Sequence, residues 1–318
     1  MKPLILAFPG MIAVASQLTS QLGAEIAPLN LHRFPDGENL VTLPQDLRGR
    51  NVIVLATLRD PDPLALPLRF AAATARELGA NRVGLVAPYL AYMRQDRRFA
   101  SGQSVTAPLF ARFLEDSFDW LVTVDPHLHR IPSLDRLFGI PAIHVRSAPF
   151  IADWIAREVP DAVILGPDSE SQQWVAEVAR KVGRPYEVLA KVRSGDRLVD
   201  VSLPESEALR HGTPVVLDDI ASSGRTMIRA IERLLVAGTK PPVCVIIHAV
   251  FAGHAFQEIL SMGDARVVTT DSIPHESNAI SLAGPLAMAI ADATHAVDQG
   301  AKNPASNSPI ENPTEPKQ

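Results

Sequence analysis

The chain has 318 residues, of which 47% are hydrophobic and 20% charged, so it can form packed cores and its length favours two domains over one. The formal net charge is −5 and no basic stretch stands out, so we expect no nucleic-acid partner. A single cysteine, Cys244, excludes a disulfide framework within the chain, and no apolar run is long enough for a membrane span. We therefore expect a cytoplasmic protein without membrane association.

Short apolar runs alternate with segments of helical periodicity along the first half of the chain. After an N-terminal strand, residues 51–58, 82–88 and 120–125 are predicted strands, and residues 64–80 and 105–118 are predicted helices. This alternation indicates a parallel sheet covered by helices.

The second half repeats the alternation, which indicates a second domain of the same class. We place the first domain at residues 1–147 and the second at residues 148–298. Residues 299–318 contain four prolines and no aromatic residue, so we expect a disordered tail. The predicted strands of the second half are 161–168, 186–191, 213–219, 242–250 and 265–270, and the predicted helices are 169–183 and 226–238.

The strongest motif is VVLDDIASSGRTM, residues 215–227, in which an apolar strand ends in Asp218 and Asp219. A loop of small residues follows and then a helix begins, an arrangement whose backbone N–H groups and helix dipole bind phosphate. The hydroxyls of Ser222, Ser223 and Thr226 add donors, while the carboxylates can accept hydrogen bonds from sugar hydroxyls or hold Mg²⁺. The motif predicts a ligand that is part phosphate and part polyol; a strand followed by an ordinary serine-capped helix is the alternative.

This motif resembles the ribose-phosphate signature of type I phosphoribosyltransferases and of phosphoribosyl pyrophosphate synthetases, also called ribose-phosphate pyrophosphokinases. Further segments follow the order that is typical of the synthetases: RFPDGENLV (33–41), PYLAYMRQDRRF (88–99), VTVDPHLHR (122–130), ILGPDSESQQ (164–173) and LAKVRSGDR (189–197). Since these segments occur together, the chain is identified as a divergent member of the synthetase family. One departure is Ser169, Glu170 and Ser171, which stand where the family has glycines.

The resemblance implies an α/β fold with two tandem phosphoribosyltransferase-type domains, each with a central, mainly parallel sheet flanked by helices. It also implies transfer of the pyrophosphoryl group of Mg-ATP to O1 of ribose 5-phosphate, which gives phosphoribosyl pyrophosphate and AMP. Two alternatives stay open: a phosphoribosyltransferase that consumes phosphoribosyl pyrophosphate, and a catalytically silent regulatory homologue. The duplicated architecture and the segments at 33–41 and 88–99 count against the transferase. No Walker string occurs, which excludes a P-loop kinase.

The resemblance also implies roles for individual residues, and it implies a homo-oligomer based on dimers, either a tetramer or a hexamer. The residues expected to bind ATP are Phe34, Asp36, Glu38, Arg94, Gln95 and Asp96. Those expected to bind ribose 5-phosphate are Asp168, Asp218, Asp219, Ala221, Ser222, Ser223, Gly224, Arg225 and Thr226. The expected Mg²⁺ ligands are His127 and Asp168, and the expected catalytic cations are Lys191 and Arg193.

Overall fold

The structure is a computed structural model in which the chain forms two compact units. The first unit comprises Met1–Val145 together with the chain from Ala283 onward, and the second comprises Arg146–Leu282. The structure describes residues 1–128, 130–168, 171–194, 198–202 and 207–300, with the backbone alone for 190–194 and 198–202. The predicted disordered tail, apart from residues 299 and 300, lies outside the described residues.

The first unit contains a parallel sheet, an antiparallel ribbon and helices that pack on the sheet. Its strands are β1 (Leu4–Ala7), β2 (Glu25–Ala27), β3 (Asn30–Arg33), β4 (Asn39–Thr42), β5 (Asn51–Leu55), β6 (Arg82–Ala87), β7 (Trp120–Val124) and β8 (Ala142–Val145). Its helices before Val145 are α1 (Ile12–Leu22), α2 (Asp62–Glu77) and α3 (Thr106–Glu115). The sheet order is β2-β1-β5-β6-β7-β8 with parallel pairing throughout, and β3 and β4 form the ribbon.

The central strands of this sheet are buried on both faces, as aliphatic parallel strands covered by helices should be. Leu6, Val54, Leu85 and Val122 are fully buried, one on each of β1, β5, β6 and β7. Burial of both faces removes the alternation of apolar and polar residues, which is why these strands read as continuous apolar runs in the sequence. The predictions of strands at 51–58, 82–88 and 120–125 are confirmed.

The second unit has the same plan. Its strands are β9 (Ala162–Gly166), β10 (Tyr186–Val188), β11 (Ala190–Ser194), β12 (Leu198–Ser202), β13 (Thr213–Ser222), β14 (Val243–Phe251), β15 (Arg266–Thr270) and β16 (Asn278–Ile280). Its helices are α4 (Ala148–Glu158), α5 (Gln172–Val182), α6 (Glu207–His211), α7 (Arg225–Val236) and α8 (Ala255–Leu260). The parallel sheet has the order β10-β9-β13-β14-β15-β16, and β11 and β12 form an antiparallel ribbon.

The two sheets have identical topology when their strands are counted in chain order. In each unit the second strand of the chain forms one edge of the sheet, beside the first strand. The chain then forms a separate antiparallel ribbon, and the remaining strands join the other side of the first strand in the order in which they occur in the chain. The predicted fold class, two tandem α/β domains with parallel sheets flanked by helices, is confirmed.

The last described helix, α9 (Ala283–Asp298), belongs by its contacts to the first unit. It contacts α1, β7 and β8, and its apolar residues Leu286 and Ile290 are almost completely buried. The sequence prediction had assigned this segment to the domain at 148–298, because a helical pattern after a strand gives no indication of which sheet it will cover. None of the helices in the described part of the chain combines the length and the hydropathy of a membrane span.

The main local correction concerns the motif at 215–227. The strand was predicted to end at Asp219, with a loop through Thr226, but β13 continues to Ser222 and α7 begins at Arg225. Ile220 is buried and pairs with His248 of β14, so the backbone stays in the sheet beyond the two acids. Asp218 and Asp219 therefore lie within the strand, and the connection to the helix is only two residues long.

Candidate active site

The acids of the second unit lie where the order of its strands reverses. β13 lies between β9 and β14, but its pairing with β9 ends at Val216, whereas its pairing with β14 continues. The carboxyl ends of β9 and β13 therefore separate at a topological switch point, the usual ligand position in open α/β sheets. Asp168 follows β9 there, in a turn in which Ser171 Oγ donates to the Asp168 carbonyl oxygen at 2.6 Å.

Asp168, Asp218 and Asp219 form an acid cluster at this point. Asp218 Oδ1 accepts the backbone N–H of Asp219 at 3.0 Å, and Asp219 Oδ1 accepts that of Ile220 at 2.9 Å, so both carboxylates are oriented by the backbone. Burial raises the pKa of Asp218 well above its ordinary value, and the negative charges of Asp219 and Asp168 raise it further. A cation or several hydroxyl donors would relieve this repulsion, and both are features of a metal-bound sugar phosphate.

The connection from β13 to α7 has the backbone geometry of an anion-binding turn. The N–H of Gly224 donates to the Ala221 carbonyl oxygen at 2.8 Å, and the Ser222 carbonyl oxygen accepts the N–H of Ala252 at 2.9 Å. Ser222 and Gly224 both have positive φ, 45° and 72°. Gly224 is the N-cap of α7 and has no side chain that could cap the first N–H groups of the helix, a position at which helices bind anions. The alternative of a serine-capped helix is wrong.

The predicted catalytic cations lie on the ribbon of the second unit. Lys191 and Arg193 occupy alternate positions of β11, opposite Val201 and Val199 of β12. The ribbon connects β10 to β13, the strand that carries the acid cluster.

In the first unit, Phe34, Asp36 and Glu38 lie at the tip of the β3–β4 hairpin. The turn is closed by the N–H of Phe34, which donates to the Glu38 carbonyl oxygen at 2.8 Å, and by Asp36 Oδ1, which accepts the N–H of Glu38 at 3.1 Å. Gly37 has a φ of 96°, which only glycine adopts easily. Phe34 is 40% exposed although it is large and apolar, and its ring packs edge-to-face with the ring of His32, with 4.7 Å between the ring centroids.

The segment after β6 carries Arg94, Gln95 and Asp96, which differ sharply in exposure. Arg94 and Gln95 are exposed, and Gln95 Oε1 accepts Thr106 Oγ1 at 2.8 Å, a contact that ties the segment to the start of α3. The Asp96 side chain is only 2% exposed, and its two oxygens accept Nη1 of Arg130 at 3.0 and 3.3 Å. The geometry therefore gives the Asp96 carboxylate a partner inside the protein rather than a ligand-facing position.

The loop after β7 carries His127. Asp125 at its start is buried, has a φ of 31°, and pairs through Oδ1 with Nε2 of His144 at 2.9 Å. His127 is partly buried, and Arg130, farther along the same loop, forms the pair with Asp96. Sequence reasoning found neither His144 nor Arg130, because their partners are 19 and 34 residues away and no local pattern connects them.

Among the described residues, no group of three or more His, Cys, Asp and Glu side chains has the arrangement of a metal site made by protein alone. Mg²⁺ usually keeps several waters and is bound through one or two carboxylates together with the phosphates of a substrate. Asp168 and Asp218 offer carboxylate oxygens of this kind, and the pKa of Asp218 is raised by burial and then by the negative charges of Asp219 and Asp168.

Comparisons with known proteins agree in both halves of the chain. Residues 4–117 match the family described as the N-terminal domain of ribose phosphate pyrophosphokinase, and residues 140–283 match the phosphoribosyl transferase domain. The ribose-phosphate pyrophosphokinase of Methanopyrus kandleri is 33% identical over 290 residues, which cover 90% of this chain and 98% of that protein. The protein of the same name from Methanothermobacter thermautotrophicus is 30% identical, with 88% of this chain and 96% of that protein covered.

A solved structure supports the fold independently. The phosphoribosylpyrophosphate synthetase from Mycobacterium smegmatis superposes with a TM-score of 0.79 at 24% identity and covers 94% of this chain and 100% of that one. At that level of identity the likeness concerns the fold, and the assignment to a family depends on the sequence relatives. With two matching domains and relatives of 30% identity or more along almost its whole length, the chain belongs to the ribose-phosphate pyrophosphokinase family.

Proposed function

We propose that this chain transfers the pyrophosphoryl group of Mg-ATP to O1 of ribose 5-phosphate. O1 bonds to the β-phosphorus of ATP, the bond from that phosphorus to the α,β-bridging oxygen breaks, AMP leaves, and the O1 proton is released. The observation that carries the proposal is the acid cluster beside a glycine-capped helix N-terminus at the switch point of the second unit. It occurs in a chain whose relatives are named for this activity.

Ribose 5-phosphate is assigned to the second unit. The loop of residues 221–226 would hold the 5-phosphate through the N–H groups at the start of α7 and the hydroxyls of Ser222, Ser223 and Thr226. Asp218 and Asp219 would accept hydrogen bonds from the sugar hydroxyls. Because hydrogen bonds with carboxylates are charge-assisted, this contact should contribute strongly to selection of the sugar.

Mg-ATP is assigned to the first unit. Phe34, which is exposed, would stack its ring on adenine, with Asp36 and Glu38 beside it, and Arg94 and Gln95 would contact the triphosphate. Asp96 would contribute to this site indirectly, through its ion pair with Arg130. His127 of the first unit and Asp168 of the second are each proposed as ligands of Mg²⁺, which when bound would neutralise phosphate charge and polarise the β-phosphorus.

Lys191 and Arg193 are proposed to stabilise the transition state by neutralising negative charge. The reaction resembles other phosphoryl transfers, in which positioning and charge neutralisation matter more than a covalent protein intermediate. Two cations at alternate positions of one strand can approach the same oxygens together. We also propose that the chain acts as a homo-oligomer.

Product analysis after incubation with ATP, Mg²⁺ and ribose 5-phosphate tests the proposal. Chromatography should detect phosphoribosyl pyrophosphate and AMP, both dependent on all three components. A protein that makes neither, but couples added phosphoribosyl pyrophosphate to a nucleobase with release of pyrophosphate, would be a phosphoribosyltransferase. A folded protein that binds Mg-ATP but is inactive in both assays would be a silent homologue.

A further inference from the structure

We propose that Arg130 is a positioning residue for the nucleotide side of the site. In this proposal its ion pair with buried Asp96 fastens the segment Arg94–Asp96 to the loop that carries His127. The inference rests on the proposed function, because it gives a task within the Mg-ATP site to a residue that ends the segment 122–130 and that received no role from the resemblance or from the proposed ligand contacts. We call the pair the Asp96–Arg130 clasp.

The Asp96 end of the clasp is inside the protein. Its side chain is 2% exposed, although Gln95 before it and Arg97 after it are exposed. A buried carboxylate is costly unless it is paired, and both oxygens of Asp96 accept the same Nη1 of Arg130, at 3.0 and 3.3 Å. The clasp therefore links two segments that are 34 residues apart in the chain.

At the other end of the clasp, the guanidinium of Arg130 is oriented by a second contact, with an aromatic ring. Its side chain is 43% exposed, and its guanidinium lies over the ring of Phe99 with 5.9 Å between the guanidinium carbon and the ring centroid. The guanidinium of Arg97 lies over the same ring at 5.1 Å. A planar guanidinium can pair with a carboxylate and stack on a ring at once, whereas a lysine ammonium keeps only the charge.

His127 lies between two fixed points of the loop after β7. At the start of the loop, Asp125 pairs with His144 at 2.9 Å and its N–H donates to the Val145 carbonyl oxygen at 3.1 Å. Three residues after His127, Arg130 is held by the clasp. The segment on the other side of the clasp is tied to α3 by the hydrogen bond from Thr106 to Gln95. The clasp therefore sets the position of His127 relative to Arg94 and Gln95.

Arg130→Gln tests the proposal, with Arg157→Gln as the matched control. Arg157 forms a comparable 3.0 Å pair with Glu158 on α4, far along the chain from the proposed nucleotide residues. The measurements are kcat, the KM values for Mg-ATP and ribose 5-phosphate, the Kd of Mg-α,β-methylene-ATP by calorimetry, and Tm. We expect Arg130→Gln to raise KM and Kd for the nucleotide about 10-fold or more, because small misplacements of binding groups are costly, and to leave KM for ribose 5-phosphate within about twofold. Arg130→Lys should restore part of the loss, and the control should change neither KM.

Two further variants, Asp96→Asn and the double variant Asp96→Asn/Arg130→Gln, distinguish weaker nucleotide binding from a loss of folding. The double variant leaves no unpaired buried charge, and its nucleotide Kd should be no weaker than that of the weaker single variant, because the pair acts as a unit. If these variants lower Tm but leave the nucleotide KM and Kd within about twofold of wild type, the clasp is only structural and the proposal is overturned. Equal losses for both substrates would also overturn it. A wild-type protein that binds the ATP analogue but makes no phosphoribosyl pyrophosphate would defeat the proposed function, while the Kd comparison would still decide the clasp.

Discussion

At the scale of single residues, the adjacent acids Asp218 and Asp219 within β13 combine binding capacity with an electrostatic cost. Backbone N–H groups hold one oxygen each of Asp218 and Asp219, and the neighbouring charges raise the pKa of Asp218. Like charges placed together without compensation destabilise a fold, so their presence indicates a ligand that stabilises them. Each acid therefore makes a different testable prediction.

Asp219→Asn should raise the KM for ribose 5-phosphate while the KM for Mg-ATP stays nearly constant. The amide keeps the shape and one acceptor but loses the charge that strengthens hydrogen bonds from sugar hydroxyls, a loss of roughly 10-fold or more. Steady-state kinetics with each substrate varied in turn measures the effect, and Asp153→Asn on the exposed face of α4 is the control. A rise limited to the KM for Mg-ATP would contradict this prediction and would assign Asp219 to nucleotide binding.

Asp218→Asn should make the metal-free protein more stable at neutral pH. The pKa of Asp218 is raised in the folded state, mainly by burial and then by Asp219 and Asp168, so the native state keeps a proton that the unfolded state loses. Its contribution to stability therefore falls as pH rises from about 4, the ordinary aspartate value, through the raised folded pKa. The asparagine cannot titrate, yet it keeps the acceptor for the N–H of Asp219.

Thermal unfolding in EDTA between pH 4 and pH 8 measures this difference. The Tm advantage of Asp218→Asn over wild type should grow with pH to about 3 °C or more. Parallel Tm curves for the two proteins would show that Asp218 titrates normally.

The sequence alone could predict many of the site residues but not their partners. Asp218, Asp219 and Gly224 stand in one contiguous motif whose chemistry is readable from residue types and spacing. Asp96 was expected to bind ATP, and its position in the charged string RQDRR gives no sign of burial. The pairing with Arg130 arises because β6 and β7 are neighbours in the sheet, so the loops that follow them meet.

At the scale of elements, the turn between β13 and α7 depends on Gly224. Its φ is 72°, and a Cβ there would lie 3.1 Å from the Cβ of Ala255 on α8. A side chain would thus add strain from the backbone conformation and crowding from the neighbouring helix. Either would move the N–H groups that are proposed to bind the 5-phosphate.

Gly224→Ala should therefore raise the KM for ribose 5-phosphate by about 10-fold or more, because a shift of about 1 Å in a binding group is costly. Gly238→Ala is the matched control: its φ is 71°, but a Cβ there would have no atom within 4 Å. Both variants should lose about 1–2 kcal/mol of stability from the left-handed conformation, and only Gly224→Ala should lose affinity. Equal KM values for ribose 5-phosphate in the two variants would show that this turn does not bind the substrate.

The ribbon formed by β11 and β12 carries the second prediction at this scale. Lys191→Ala and Arg193→Ala should each lower kcat by roughly 100-fold or more with little change in either KM, because these cations act on charge that develops in the transition state. The matched controls are Lys181→Ala and Arg180→Ala, exposed cations in the last turn of α5. Near-normal turnover in either ribbon variant would contradict the assignment.

The elements that the sequence predicts well differ physically from those it misses. Strands buried on both faces, such as β5 and β7, are continuous apolar runs and are easily recognised. The β3–β4 hairpin was read only as a loop, because most of its residues are exposed or half-buried and no apolar run marks either strand. The assignment of α9 to the first unit depends on contacts with α1, β7 and β8, which no local pattern encodes.

At the scale of the whole molecule, one topology occurs twice and its two copies carry different chemistry. In each unit the antiparallel ribbon occupies the same place in the strand order, with the β3–β4 hairpin in the first and the β11–β12 ribbon in the second. The hairpin presents Phe34, Asp36 and Glu38, whereas the ribbon carries Lys191 and Arg193. Within the part of the chain that the structure describes, the acid cluster and the glycine-capped helix occur together at the switch point of the second unit and not at that of the first, so we assign one substrate to each unit.

The central claim is transfer of a pyrophosphoryl group in one step, and ³¹P NMR of a single reaction mixture tests it most directly. The sample contains the purified protein, ATP, Mg²⁺ and ribose 5-phosphate, with the Lys191→Ala variant as the parallel control. We predict that the ATP signals decline while AMP and phosphoribosyl pyrophosphate signals rise in equal amounts, and that the control lags far behind. Accumulation of ADP with a ribose bisphosphate, or consumption of ATP without a new diphosphate bonded to C1 of ribose, would contradict this account.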